Sequence, residues 1–377
     1  MLILLCPDKY KGSLDGPELV AAMKMGALLA NAEIEIASIP LADGGDGTEE
    51  ILGRQLGGIT HEVQVENALG EPVTSQFTML GDGHTAIIEM AKASGLAMLD
   101  SRNLDPLQAD TFGTGQLMMA AVDAGASRLI ICIGGSATTD GGSGMARALG
   151  YRLLDEKGNP LGRGGAGLTE LARIIPPDPH PLAGVTVEVA CDVTNPLLGP
   201  MGAAQVYAPQ KGATPQEVLQ LEAGLSHLAL LWEKEGHYVA EQAGSGAAGG
   251  LGAGLRVFAR AALKSGIELV MRELNFEEAV KRADLLVTGE GRLDGQTMSG
   301  KVIQGVCEVA GRYKKPVAAL CGSVSLSPAQ QEKLGLTYAA SVVSGPMGLE
   351  DSMAQAKDLV MQSAFSLIRL FSRANPA

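Results

Sequence analysis

The stretch from Arg128 to Gly150 constrains this chain more than any other. A short apolar run, Leu129 to Ile133, breaks into Gly134-Gly135-Ser136 and then Thr138-Thr139-Asp140-Gly141-Gly142-Ser143-Gly144. The chain resumes as Met145-Ala146-Arg147-Ala148-Leu149, a helix former. The pattern predicts a strand, a glycine-rich loop and a helix. Such a loop sits at the carboxyl end of a strand, where an open α/β sheet binds its ligand. Free backbone N–H groups at a helix N-terminus suit an anion, and glycine permits positive φ and close approach. As packing alone, the same stretch is a tight βα turn with nothing bound. Recurrence of the pattern weighs against that.

Leu2 to Cys6 is a continuous apolar run, as in a buried parallel strand, and leads into Pro7-Asp8-Lys9-Tyr10-Lys11-Gly12-Ser13-Leu14. Ser13 or Asp15 is placed to cap the following helix, with Pro17 in its first turn. Glu33 to Ile39 reads as a second strand, followed by Pro40-Leu41-Ala42-Asp43-Gly44-Gly45-Asp46-Gly47-Thr48 and a helix from about Glu49. Val185 to Ala190 ends in Cys191-Asp192-Val193-Thr194-Asn195, so Asp192 and Asn195 fall at the carboxyl end of a strand. Ala283 to Val287 leads into Thr288-Gly289-Glu290-Gly291-Arg292-Leu293-Asp294. Between His61 and Glu89 the pattern changes to alternation, with a Gly81-Asp82-Gly83 turn, and predicts an antiparallel meander.

The fold class expected is α/β with two domains and a cleft between them. Residues 1–62 and 276–377 would form a discontinuous, Rossmann-like, doubly wound parallel-sheet domain. Residues 63–275 would form an inserted mixed-sheet α/β domain. A length of 377 residues agrees with two cores.

Fifty glycines, nearly twice the usual share of about 7%, lie between periodic segments, so they read as loops rather than low complexity. A net charge of −13 with no basic cluster argues against nucleic acid or an anionic membrane as partner. Five widely spaced cysteines, with no C-x-x-C, read as reduced core thiols of a cytoplasmic protein. Met1 to Cys6 is too short for a signal peptide, and no apolar run approaches the roughly 18 residues of a spanning helix.

Two motifs fail on context. Gly244-Ser245-Gly246-Ala247-Ala248-Gly249 matches G-x-G-x-x-G, but a helix precedes it where a dinucleotide fingerprint needs a strand. The run there suits a loop flanking a site, or close helix packing. Gly295-Gln296-Thr297-Met298-Ser299-Gly300-Lys301 resembles a P-loop, but Val302 stands where Ser or Thr would hold Mg²⁺. Five scattered histidines and no Cys/His cluster argue against zinc chemistry and His-based acyl transfer. Glycine loops, carboxylates and a few Lys and Arg suit phosphoryl transfer, which needs positioning, Mg²⁺ held by carboxylates, and a base.

Along the whole chain and in order, Pro7–Leu14, Ala42–Thr48, Ile133–Gly150, Cys191–Leu197, Ala208–Ala213, Gly244–Gly254 and Thr288–Lys301 resemble the motifs of the bacterial type I glycerate kinase family. The resemblance implies ATP- and Mg²⁺-dependent phosphorylation of D-glycerate, with 2-phosphoglycerate the usual product, by a monomer or homodimer. It also implies site roles. Asp192 would be the base, with Lys11 and Asp8 the other catalytic groups. Asp43, Asp46, Arg292, Asn195 and Lys211 would bind substrate. Gly134, Gly135, Ser136, Asp140, Gly141, Gly142, Gly246 and Gly249 would cradle the nucleotide, and Glu290 and Asp294 would serve the metal. The chain departs from the family pattern at Lys9, where a small Ser is usual, at Asp46, where Glu is commoner, and at Thr139, where Asn is common. A glycerate 3-kinase, a kinase of another small hydroxy acid, and a non-enzymatic nucleotide-sensing module stay open as alternatives.

Overall fold

The computed structural model describes residues 1–298 and 301–374, so Ser299 and Gly300 of the P-loop-like stretch lie outside the described residues. The chain is mixed α/β and divides into two compact units, Met1–Asp43 with Ile267–Ala377, and Gly44–Gly266.

The first unit carries a five-stranded sheet in the order Tyr338–Ser341, Val317–Cys321, Leu285–Thr288, Leu2–Leu5, Glu35–Ser38. Every neighbouring pair is parallel. The chain steps from Leu2–Leu5 to one side, then resumes at Leu285–Thr288 on the other and continues outward. The order therefore reverses between Leu2–Leu5 and Leu285–Thr288, the topological switch point of an open α/β sheet. Ile3, Leu5, Leu285, Val287, Ala318 and Leu320 share one apolar cluster with Leu19 and Met23 of the helix Gly16–Ala30 and Val360 and Ile368 of the helix Ala356–Ala374. Asp15, rather than Ser13, caps the first of these helices, accepting from Glu18 N at 2.7 Å in a capping box. The C-terminal segment forms two helices, Leu349–Ala354 and Ala356–Ala374.

The second unit carries a six-stranded sheet in the order Ala262–Lys264, Thr186–Ala190, Arg128–Cys132, Thr85–Glu89, Pro72–Met79, Ile59–Glu66. The last two pairings are antiparallel, as the alternation between His61 and Glu89 predicts, and the others are parallel. Ile88, Leu129, Ile131, Leu225, Trp232 and Phe258 belong to its core. A long helix spans Pro215–Lys234 and ends at a turn in which Gly236 takes φ 89°.

The units divide at 43/44 and 266/267, whereas the composition shift places the boundaries near 62 and 275. Ile59–Glu66 pairs along its length with Pro72–Met79, and Glu49 is bonded to Thr78, so the segment after Asp43 goes with the meander. At the other end, an added Cβ on Gly305 would lie 2.9 Å from Ile267 Cγ1, which ties the helix Gly266–Glu273 to the helix Val302–Arg312.

Candidate functional site

In the first unit the strand ends at the switch point bring three carboxylates together. Cys6 N donates to Val287 O at 2.8 Å and Asp8 N to Gly289 O at 2.9 Å, which carries the pairing of the two central strands past their ends. On the other side Ile39 N donates to Leu5 O at 2.8 Å and Leu41 N to Pro7 O at 3.0 Å. Asp8, Asp43 and Glu290 thus leave adjacent strands at one edge. Burial, then the charges of Asp43 and Glu290, push the Asp8 carboxyl up to about 7, although Lys9 N donates to its Oδ1 at 2.7 Å and the Lys9 charge pulls it down. Glu290 is buried, and burial raises its carboxyl, with Asp294 and Asp43 adding to the rise. Thr297 Oγ1, donating at 2.5 Å, and the Lys301 charge act the other way.

This backbone arrangement depends on glycine at two places. A Cβ on Gly289 would lie 2.1 Å from Leu320 O, and one on Gly322 2.5 Å from Gly291 O. Arg292 is exposed, and its Nε stands 3.3 Å from Asp294 Oδ2. Such an exposed pair contributes little stability. Lys11 is exposed, in the turn where Gly12 takes φ 78°.

In the second unit the glycine loop after Arg128–Cys132 has two parts. Gly134 and Gly135 are exposed, while Ser136 through Ala146 are buried. Asp140 is fully buried and organises the second part. Its Oδ2 accepts from Thr111 N at 3.0 Å, Thr111 Oγ1 at 2.8 Å, Gly144 N at 2.9 Å and Ser143 Oγ at 3.4 Å. Its Oδ1 accepts from Gly142 N at 3.2 Å. The anion that the amides of this loop suit is therefore supplied by the chain itself, at the start of the short helix Ser143–Ala148.

Lys211, expected among substrate-binding groups, lies beneath the same loop at 2% exposure. Its Nζ donates to Ser136 Oγ at 2.8 Å and Thr138 O at 2.5 Å. Burial brings the ammonium down to about 7, against the pull of the Asp140 charge. Gly246 and Gly249 are buried too. Their Cβ positions would fall 2.1 Å from Pro196 O and 1.9 Å from Thr138 O, so these glycines serve backbone-on-backbone packing. Gly141 and Gly142 take φ 61° and 79°, and Gly254 packs on Gly141.

Asp46 comes close to the exposed part of the loop: a Cβ on Gly135 would lie 3.3 Å from its Oδ1. Asp192 is half-buried, and its Oδ1 accepts from Gly266 N at 2.9 Å. Asn195 holds its own neighbourhood together, donating from Nδ2 to Met201 O at 2.7 Å and accepting at Oδ1 from Tyr207 OH at 2.8 Å.

A group that the sequence reading passes over supports the Asp46 loop. Glu89, 5% exposed, accepts from Glu49 N at 3.0 Å and from Gly47 N, at the start of the helix Thr48–Gln55. Lys92 Nζ reaches Glu49 at 2.8 Å and Glu89 at 3.7 Å. The available signal was an acid at the end of the apolar run Ala86-Ile87-Ile88. Among the described residues, no three His, Cys, Asp or Glu side chains form a group able to hold a metal ion by themselves. No described helix is long and apolar enough to cross a membrane.

The profile of the glycerate kinase family matches residues 3–372. A glycerate kinase from Halalkalibacterium halodurans is 44% identical over 366 residues, covering 96% of both chains. A glycerate 2-kinase from Escherichia coli is 41% identical over 367 residues, covering 97% of this chain and 96% of its own. A crystal structure described as glycerate kinase 2 from Salmonella typhimurium LT2 superimposes with a TM-score of 0.90 at 41% identity, covering 100% of both chains. With its α/β architecture and near full-length matches, the chain belongs to the glycerate kinase family.

Proposed function

We propose that the chain transfers the γ-phosphoryl group of ATP to D-glycerate, at the 2-hydroxyl, giving 2-phosphoglycerate and ADP in the cytoplasm. The observation that carries this reading is the gathering of Asp8, Asp43 and Glu290 at the switch point of a parallel sheet, with Asp8 held near neutrality. A carboxylate that titrates near pH 7 is matched to accepting a hydroxyl proton as the phosphoryl group arrives. The 2-hydroxyl is favoured because the Escherichia coli relative is named a glycerate 2-kinase.

In this reading Asp8 takes the proton of the attacking hydroxyl. Lys11 and Arg292 offset charge on the transferred group, the Lys301 charge opposes the upward shift that burial imposes on Glu290, and Asp43 holds substrate hydroxyls. In the second unit Asp46, with the exposed Gly134-Gly135 amides, offers a further polar binding surface. Asp192 stays a second candidate for the base, since it stands at a strand's carboxyl end.

Mg²⁺ usually keeps several waters and binds one or two carboxylates together with substrate phosphates, so a complete protein cage is not required. Buried Glu290, with Asp294 beside it, suits that demand and would hold the ion. When bound, the ion would neutralise charge on the β- and γ-phosphates.

The test is a phosphorus NMR spectrum of the product made by the full chain from ATP and D-glycerate. A 2-phosphoglycerate resonance is expected; 3-phosphoglycerate overturns the regiochemistry, and no phosphorylated product overturns the reading. A coupled ADP-release assay across glycerate, lactate and tartronate then separates glycerate from other hydroxy acids.

A further inference from the structure

Beside the carboxylates of the first unit lies a cavity of about 150 Å³ to which phosphoryl transfer itself gives no role. It opens at the carboxyl ends of Val317–Cys321 and Tyr338–Ser341, the edge where an open α/β sheet takes its ligand. Its wall is mainly hydrocarbon, from Tyr10, Val342, Val343 and Met353, with Ser323 and Ser352 also lining it and the exposed Leu349 and Lys11 at its edge.

The cavity is held in place by bonds that do not involve a ligand. Tyr10 OH donates to Leu320 O at 2.7 Å, which fixes the ring at 4% exposure. Ser13 Oγ donates to Met353 O at 3.1 Å, which ties the Tyr10–Leu14 turn to the far wall. Leu349 is 76% exposed, so an apolar side chain stands in water at the entrance.

The chemistry of the wall selects among ligands. Glycerate is a three-carbon anion with two hydroxyls, and a wall that is mostly hydrocarbon would leave part of its polar surface unpaired, whereas a flat heteroaromatic ring meets hydrocarbon on its faces and can use Ser323 and Ser352 at its edge. The volume is well below the roughly 300–1,000 Å³ of pockets that enclose a whole drug-sized ligand. One flat ring system fits, with any charged remainder outside. Lys11 stands where the charged remainder would emerge, three residues along the chain from Asp8.

We propose that this cavity receives the purine ring of ATP, with the phosphates leading past Lys11 toward Asp8 and Glu290. The inference rests on the reading that ATP is the phosphoryl donor.

The test is photolabelling of the full chain with 8-azido-ATP, without glycerate, followed by tryptic mapping. Label on the 334–357 peptide or on Tyr10, displaced by excess ATP, is expected. Saturable label confined to any other segment, or no saturable label, overturns the proposal. Val343→Phe fills the cavity. It should raise the KM for ATP at least about tenfold, leaving the KM for glycerate within about twofold. If that variant fails to fold, Leu349→Asp at the exposed mouth takes its place, with at least about a threefold rise expected. An unchanged KM for ATP overturns the assignment. The two readings fail separately. Label on 334–357 without phosphorylated glycerate sinks the acceptor but leaves the cavity assigned, and phosphoglycerate with label elsewhere does the reverse.

Discussion

Asp140→Asn is the sharpest test of how the glycine loop is built. The substitution keeps shape and volume but removes the charge and turns one acceptor oxygen into a donor. With the amide oxygen retained at Oδ2, the four donors from Thr111, Ser143 and Gly144 still find a partner. Each falls from a charge-assisted bond to a neutral one, a loss of about 1 kcal/mol apiece. The new amine then faces Gly142 N, now 3.2 Å from a carboxylate oxygen, and leaves it unsatisfied at a cost of about 1–3 kcal/mol. Asp110 returns part of this, because the Asp140 charge is one reason its carboxyl is raised to about 6. The net expectation is a destabilisation of about 3–5 kcal/mol. A chain with two units need not unfold in one step, so amide hydrogen exchange is the better assay. Thr111, Gly142 and Gly144 should exchange about 10²- to 4 × 10³-fold faster, at about 1.4 kcal/mol per factor of ten, while amides in the strand Val317–Cys321 stay unchanged. Acceleration below about tenfold at all three amides would refute the view that Asp140 organises this loop.

Asp8→Asn should lower kcat by about 10²-fold or more and abolish the acidic limb of the pH profile, which in the parent enzyme should fall away below about pH 7. A parallel loss in Asp192→Asn, with the limb kept in Asp8→Asn, would move the base to Asp192. The Asp8 carboxyl is raised on folding, so its contribution to stability is complete below its unfolded value near 3.8 and is lost as pH rises through about 7. Asp8→Asn should therefore stabilise the first unit at pH 8 and change little at pH 4, as read by hydrogen exchange. Lys211 has the opposite sign: with its folded value down at about 7, burying the charge costs stability below pH 7, and the cost fades as pH rises toward 10.5. Lys211→Met should consequently be tolerated better at pH 6 than at pH 10 in thermal unfolding. Gly249→Ala would put a methyl 1.9 Å from Thr138 O at φ 67°, and a loss of about 2–5 kcal/mol is expected by the same exchange measurement on residues 138–144.

The strand-end loops were legible because continuous apolar runs such as Leu2 to Cys6 and Leu129 to Ile133 leave few alternatives to a buried parallel strand. The meander was legible from alternation, and the α/β class followed from both. Depth was not legible. Asp140 and Lys211 look like groups meant for a ligand because such residues are rarely buried without partners. Nothing local in the sequence records that Thr111, 29 residues earlier, turns two donors toward Asp140. Glu89 was missed for the related reason that its partners, Gly47 and Glu49, come from another element. The strand Ala262–Lys264 escaped because three residues at a sheet edge carry no periodicity.

The threading of the first unit has a consequence during synthesis. Leu2 and Asp284, whose side chain caps the entry to the central pairing, are 282 residues apart. At translation rates of about 5–20 residues per second, the first apolar strand waits about 15–55 s on the ribosome for its partner. Meanwhile Gly44–Gly266, a continuous segment, is available to fold on its own. The apolar segment Leu2-Ile3-Leu4-Leu5-Cys6 thus lacks its Leu285–Thr288 partner for that interval, an exposed stretch suited to a holding chaperone.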